Sequence, residues 1–151
     1  MRWVRIDNRL VHGQIIETWL PFTRARMIAV VNDELSADMI RQEIMSLAIP
    51  DDVEIVFLSI GKSALFFSQN KLEDEDVIIL FSNCQDARLA FEQGLSYPVI
   101  NIGNLHYAPG KRQICPHVAM NDDDESCLRF LEDRGVSLDY RCIPSDPIHL
   151  R

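Results

Sequence analysis

The chain has 151 residues, 47% of them hydrophobic and 25% charged, and a formal net charge of −8. That length suits one domain with an adequate core, and the composition is globular, not disordered. The acidity argues against broad nucleic-acid binding, because the phosphate backbone needs a positive footprint that this chain lacks.

Residues 3–6 are predicted as a first strand that stops at a polar loop, 7–9. Residues 14–20 read as a helix that Pro21 ends, since proline cannot continue one. Residues 27–31, apolar and β-branched, suit a strand buried on both faces. Ser36 is expected to cap a helix to about Leu47, with Met39, Ile40, Ile44 and Leu47 as its apolar stripe. A turn at 50–52 leads to a strand at 53–58 and a helix from about 60 to 67. The acidic cluster Glu73-Asp74-Glu75-Asp76 reads as a solvated loop before 77–81, the strongest buried-strand signal in the chain. A helix at 85–93 stopped by Gly94, a strand at 98–102 and a loop at 103–110 come next. Residues 111–118 suit one or two short edge strands. Asn121 or Asp122 is expected to cap a helix through Asp133, Gly135 to end it, and 136–142 to form the last strand.

Strand and helix alternate with short connections, which predicts an α/β doubly wound fold: a mainly parallel sheet with helices on both faces. No repeat or Pro/Gly-rich linker divides it, so residues 1–151 are read as one domain. Ligands in such folds sit at the carboxyl ends of strands. That rule selects the loops 7–13, 32–34, 82–83 and 103–110. No stretch approaches the roughly 20 apolar residues that span a bilayer. Met1-Arg2-Trp3-Val4-Arg5 reaches a second charge too soon for a targeting signal, so a cytoplasmic protein is expected. Cys84, Cys115, Cys127 and Cys142 form no C-x-x-C pair and read as reduced thiols. His106, His117 and His149 lack zinc-ligand spacing relative to them, so no metal is expected.

The first strand-end loop is chemically dense, holding Asp7, Arg9, His12, Gly13 and Gln14. A histidine nitrogen is a competent nucleophile toward phosphorus near neutral pH. Arg9 has a fork of donors suited to phosphate oxygens. Backbone amides around Gly13 and the following helix start would add an anion site. Asp7 would hold one imidazole nitrogen and so select the reactive tautomer. The same residues also admit a plainer reading: a loop histidine is often a polar surface residue, and an exposed Asp7–Arg9 pair contributes about 0–1 kcal/mol.

The stretch Arg5-Ile6-Asp7-Asn8-Arg9-Leu10-Val11-His12-Gly13-Gln14 closely resembles the signature of IIB subunits of the sugar phosphotransferase system, mannose/fructose/sorbose family. The likeness continues at Val30-Val31-Asn32-Asp33-Glu34 with Ala37-Asp38, and at Leu80-Phe81-Ser82-Asn83. It recurs at Asn101-Ile102-Gly103 with Gly110-Lys111, and at Arg134-Gly135-Val136 with Ser145-Asp146-Pro147. The resemblance implies that His12 takes phosphate from a phosphohistidine on a IIA protein or domain. His12 would then pass it to a sugar held by membrane partners of the IIC and IID types. It also implies that Arg9 and Asp7 flank the phosphoryl group or its histidine, and that Ser82 and Asn83 join from a neighbouring loop. Gly13 and Gln14 are expected to bind phosphate, and no cofactor is expected. One departure stands out: the family's usual glycine pair appears here as Gly103-Asn104, followed by Leu105-His106-Tyr107. His106 is expected to be peripheral.

Two functions use the same chemistry. One is a phosphocarrier of sugar transport; the other is a regulatory phosphoprotein whose His12 modification controls partner binding. A nucleotide-binding protein is disfavoured, because neither G-x-x-x-x-G-K-[ST] nor G-x-G-x-x-G follows the first strand. A homodimer is compatible with the sequence, although no feature requires one.

Overall fold

Residues 1–70, 72 and 76–148 are described in the computed structural model; Glu73, Asp74 and Glu75 of the acidic cluster, and His149, lie outside them. The described residues form β1 (Arg2–Asp7), β2 (Met27–Val31), β3 (Glu54–Leu58), β4 (Val77–Phe81), β5 (Val99–Asn104), β6 (Arg112–Cys115), β7 (Val118–Met120) and β8 (Ser137–Asp139). Six of these make one sheet in the order β3-β2-β4-β1-β5-β8, and every pairing in it is parallel. Strands β2 and β4 are buried along their whole length, as an apolar run covered on both faces must be.

The helical elements are a π turn (Ile15–Trp19) running into α1 (Leu20–Thr23), then α2 (Asp33–Ser36), α3 (Met39–Ser46), α4 (Ile60–Gln69), α5 (Cys84–Glu92) and α6 (Asp122–Glu132). Leu10, Ile15, Trp19 and Leu35 cover one face of the sheet against Ile28, Val30, Ile78 and Leu80. On the other face, residues of α4, α5 and α6, among them Phe67, Ala87 and Leu131, pack on Ile6, Ala29, Ile79 and Phe81. The expected doubly wound α/β fold is what forms. The connection leaving β1 runs toward β2 and the one leaving β5 runs toward β8, in opposite directions along the sheet. The crevice between the carboxyl ends of β1 and β5 is therefore the topological switch point, where such folds bind ligands.

Several elements depart from expectation for physical reasons. Pro21 does not end its helix but sits at the start of α1, which runs on to Thr23. Pro21 occupies the first turn of α1, where proline's missing N–H and fixed φ are tolerated. The helix predicted from Ser36 to Leu47 starts later, as α3 at Met39: Ser36 is the last residue of the preceding α2, and Asp38 caps α3 by accepting from Arg41 N. Met39, Ile40, Ile44 and Leu47 face solvent, each at least 64% exposed. Periodicity says which side chains share a face, but not which face turns inward. Here Met45 packs on the core and Gln42 Nε2 donates to Leu35 O at 2.8 Å, and these contacts choose the opposite face. Residues 111–118 contribute to a separate antiparallel hairpin, β6–β7. The last strand is confined to Ser137–Asp139, and β5 runs two residues past its expected end, to Asn104.

Candidate active site

Strand β1 carries two charged side chains into the interior, Arg5 at 3% and Asp7 at 0% exposure. Alternation along a strand puts residues i and i+2 on one face, so the two meet. Arg5 Nη2 and Nε donate to Asp7 Oδ2 at 3.1 and 3.3 Å. Arg5 Nη1 donates to Asn101 Oδ1 at 2.6 Å and to the Cys142 carbonyl at 3.1 Å, while Nη2 also donates to Gln14 Oε1 at 2.7 Å. A buried guanidinium thus has an acceptor for each of its nitrogens, the condition under which a charge is tolerated inside a protein. Burial pulls the Arg5 guanidinium below its ordinary value and Asp7 opposes the shift; an arginine keeps its charge regardless.

Strand β5 completes the floor. Its register against β1 shifts between Ile6 and Asp7, so that Ile6 faces Ile102 but Asp7 faces Asn104, leaving Gly103 as the extra residue of a bulge. The bulge brings the Asn104 side chain to Asp7: its Nδ2 donates to Asp7 Oδ2 at 2.8 Å and to Gln14 Oε1 at 3.0 Å. Gly103 is required here, because a Cβ at that position would collide with the Arg5 guanidinium.

The loop after β1 folds back over this floor. Leu10 N donates to Asp7 O at 2.9 Å, and Leu10 takes a left-handed backbone (φ +57°) while its side chain is buried. A branched residue holds that conformation only where its surroundings enforce it. The result returns His12 to Asp7, with His12 Nε2 2.8 Å from Asp7 Oδ2 and the imidazole 13% exposed. Burial opposes the Asp7 charge. Hydrogen bonds from His12 and Asn104, the Arg5 guanidinium and the Arg9 amide outweigh it and hold the carboxyl below the usual carboxylate range. An ionised carboxylate only accepts, so the proton of the pair is assigned to His12 Nε2. Nδ1 is then the nitrogen with a lone pair, and no hydrogen bond from a described side chain reaches it.

The other expected site residues fall into two groups. Arg9 is beside Asp7 through its backbone, its amide donating to Asp7 Oδ1 at 3.0 Å, while its half-exposed Nε stands 3.9 Å from that oxygen. A Cβ on Gly13 would meet nothing within 4 Å, so the loop is open there. Gln14 is bound into the floor, and its Nε2 also donates to Cys142 Sγ at 3.3 Å. Ser82 and Asn83 belong to an adjoining polar belt and reach the loop through Asn8. Asn8 Nδ2 donates to Ser82 O at 2.7 Å, and Ser82 Oγ accepts from Asn32 and Asn83 at 3.2 and 3.1 Å. Asn83 Oδ1 caps α5 by accepting from Asp86 N at 2.7 Å. His106 joins the same belt only through its backbone amide, which donates to Asn8 Oδ1 at 2.6 Å, and its residue is exposed. Sequence reasoning passed over Arg5 and Asn101 as site residues. The available signal was polarity in the wrong place: a charged and an amide side chain inside strands whose neighbours are apolar.

Solved IIB proteins share the overall fold that carries this site. N-acetylgalactosamine-specific IIB component 1 of Escherichia coli aligns with a TM-score of 0.91 at 32% identity, over 97% of this chain and 96% of that one. The sorbose-specific EIIB component of Klebsiella pneumoniae is 33% identical over 143 residues, 95% of this chain and 87% of the relative. The mannose-specific EIIAB component of Escherichia coli is 31% identical over 95% of this chain, which spans 44% of that longer protein. Residues 1–149 match the family described as PTS system sorbose subfamily IIB component, and the chain belongs to that family.

Proposed function

We propose that this chain is a phosphocarrier of the sugar phosphotransferase system. In this reading His12 accepts a phosphoryl group from a phosphohistidine of a IIA protein or domain and passes it to a sugar held by IIC and IID membrane partners. The Asp7–His12 contact carries the reading: it occupies Nε2 and leaves Nδ1 as the nucleophile. The Nδ1 lone pair attacks phosphorus, the donor's P–N bond breaks, and that electron pair returns to the donor ring. The Nε2 proton stays in place, so the step needs no proton from elsewhere. Asp7 stabilises the positive charge that the His12 ring acquires. Arg9, whose side chain is 47% exposed, supplies charge for the phosphoryl oxygens as they arrive, and the open loop at Gly13 offers its backbone to them. Gln14, Ser82 and Asn83 act as supports that hold the loop. No helix among the described residues is long and apolar enough to cross a membrane, which is compatible with a cytoplasmic carrier that visits its membrane partners.

The test is phosphorylation from phosphoenolpyruvate through the upstream phosphotransferase proteins. An acid-labile phosphate on the wild-type chain, absent from His12→Ala, is expected. Label retained by His12→Ala overturns the assignment.

A further inference from the structure

Asp7 Oδ2 receives more donors than one carboxylate oxygen can satisfy fully. His12 Nε2 and Asn104 Nδ2 each lie 2.8 Å away, with Arg5 Nη2 at 3.1 Å and Arg5 Nε at 3.3 Å. A carboxylate has about four acceptor sites over its two oxygens. Three side chains converge on one of those oxygens, while Oδ1 accepts from the Arg9 amide. Donors that share one oxygen each take a smaller part of its charge.

We infer that Asn104 is a positioning residue that sets how readily His12 gives up its phosphoryl group, by sharing Asp7 Oδ2 with the imidazole. The inference rests on the reading of His12 as the phosphoryl acceptor. Once Nδ1 is bonded to phosphorus and Nε2 keeps its proton, the ring is positively charged and the Asp7 bond becomes charge-assisted on both sides. On departure the P–Nδ1 bond breaks, its electrons return to Nδ1, and the ring is neutral again. Whatever strengthens the grip of Asp7 on the charged ring therefore slows departure, and whatever competes for Oδ2 speeds it. Arg5 and Asn104 are the competitors. Arg5 is also the countercharge that permits a buried carboxylate, so removing it removes the site. Asn104 is neutral, buried and delivered to Oδ2 by the β5 bulge, so its amide adjusts the share without changing the charge count. This chain carries that donor where the resemblance calls for a glycine, which has no side chain to offer.

The decisive experiment labels His12 with phosphate from phosphoenolpyruvate in wild type, Asn104→Gly and Asn104→Ser. The spontaneous lifetime of the label and its rate of onward transfer are measured at one fixed pH, and folding is checked by thermal melting. Asn104→Gly is expected to lengthen the lifetime about tenfold and to slow onward transfer by a similar factor, the size of effect one hydrogen bond to a charged group commands. In the unphosphorylated protein, the His12 Nε2 proton resonance should move downfield as its bond to Asp7 strengthens. A merely structural role predicts the reverse, a shorter lifetime and lower labelling throughout. An equal or shorter lifetime in a folded variant, or an unmoved Nε2 proton, overturns the inference. Loss of folded protein in both variants also overturns it, since Asn104 is then a structural residue. Wild type that takes no label at all fails the phosphocarrier reading instead, and the two failures are thus distinct.

Discussion

His12 Nε2 lies 2.8 Å from a carboxylate oxygen of Asp7 that is fully buried, so the tautomer of the proposed nucleophile is fixed before any partner arrives. Replacing Asp7 by Asn tests this directly. The amide keeps the shape but offers His12 a neutral acceptor or, flipped, a competing donor, and the charged ring loses its countercharge. Phosphorylation of Asp7→Asn is expected to slow at least a hundredfold, within the range that positioned acid–base groups supply. A rate within threefold of wild type would remove Asp7 from the mechanism.

Stability should follow the same carboxylate. Arg5→Met leaves Asp7 buried without its cation, and breaking a buried pair from one side costs about 3–5 kcal/mol. The pH dependence has a definite sign. Asp7 is held below its ordinary value in the folded chain, so its contribution is complete above an unfolded carboxylate value of about 3.9 and is lost as pH falls through the lower folded value. Urea unfolding of wild type between pH 6 and pH 2 should therefore show stability falling toward the acid end. In Asp7→Asn that part of the slope should be missing.

Gly103→Ala probes the bulge. Arg5, whose guanidinium the new methyl would strike, is buried and bonded to Asp7, Gln14 and Asn101. It cannot swing aside without undoing the floor of the site. A loss of roughly 1–3 kcal/mol, typical of overpacking, is expected together with slower labelling of His12. Denaturant unfolding that matches wild type would show that Arg5 has somewhere else to go.

Much of this arrangement was legible in the residues, and what was not has identifiable causes. Strands β2 and β4 were bounded correctly because continuous apolar runs between polar turns have one reasonable reading. The loop from Asp7 to Gln14 drew notice because its chemistry is local in sequence. The floor is assembled by strand pairing: Asn101 and Asn104 are more than 90 residues from Arg5 and Asp7, and only the register of β5 against β1 unites them. The bulge at Gly103 changes that register by one residue, a shift no periodicity announces. The exposed face of α3 escaped for the same reason, since its orientation is chosen by what Met45 and Gln42 touch.

Arg9 allows the proposed transfer to be tested apart from stability. Its side chain is 47% exposed and its nearest carboxylate contact is 3.9 Å, so the head group contributes little to the fold. Exposed pairs of this kind contribute about 0–1 kcal/mol. Arg9→Lys should unfold within about 0.5 kcal/mol of wild type, as surface substitutions usually do. Transfer to His12 should nevertheless slow substantially, because an ammonium cannot replace a two-pronged guanidinium on phosphoryl oxygens. His106→Ala serves as the control, its backbone amide being the part that bonds to Asn8, and it should label nearly as wild type does. Stopped-time labelling and urea unfolding on both variants supply the measurements. Unchanged transfer in Arg9→Lys would leave Arg9 as a surface residue and pass the task of meeting phosphoryl charge to the loop amides around Gly13.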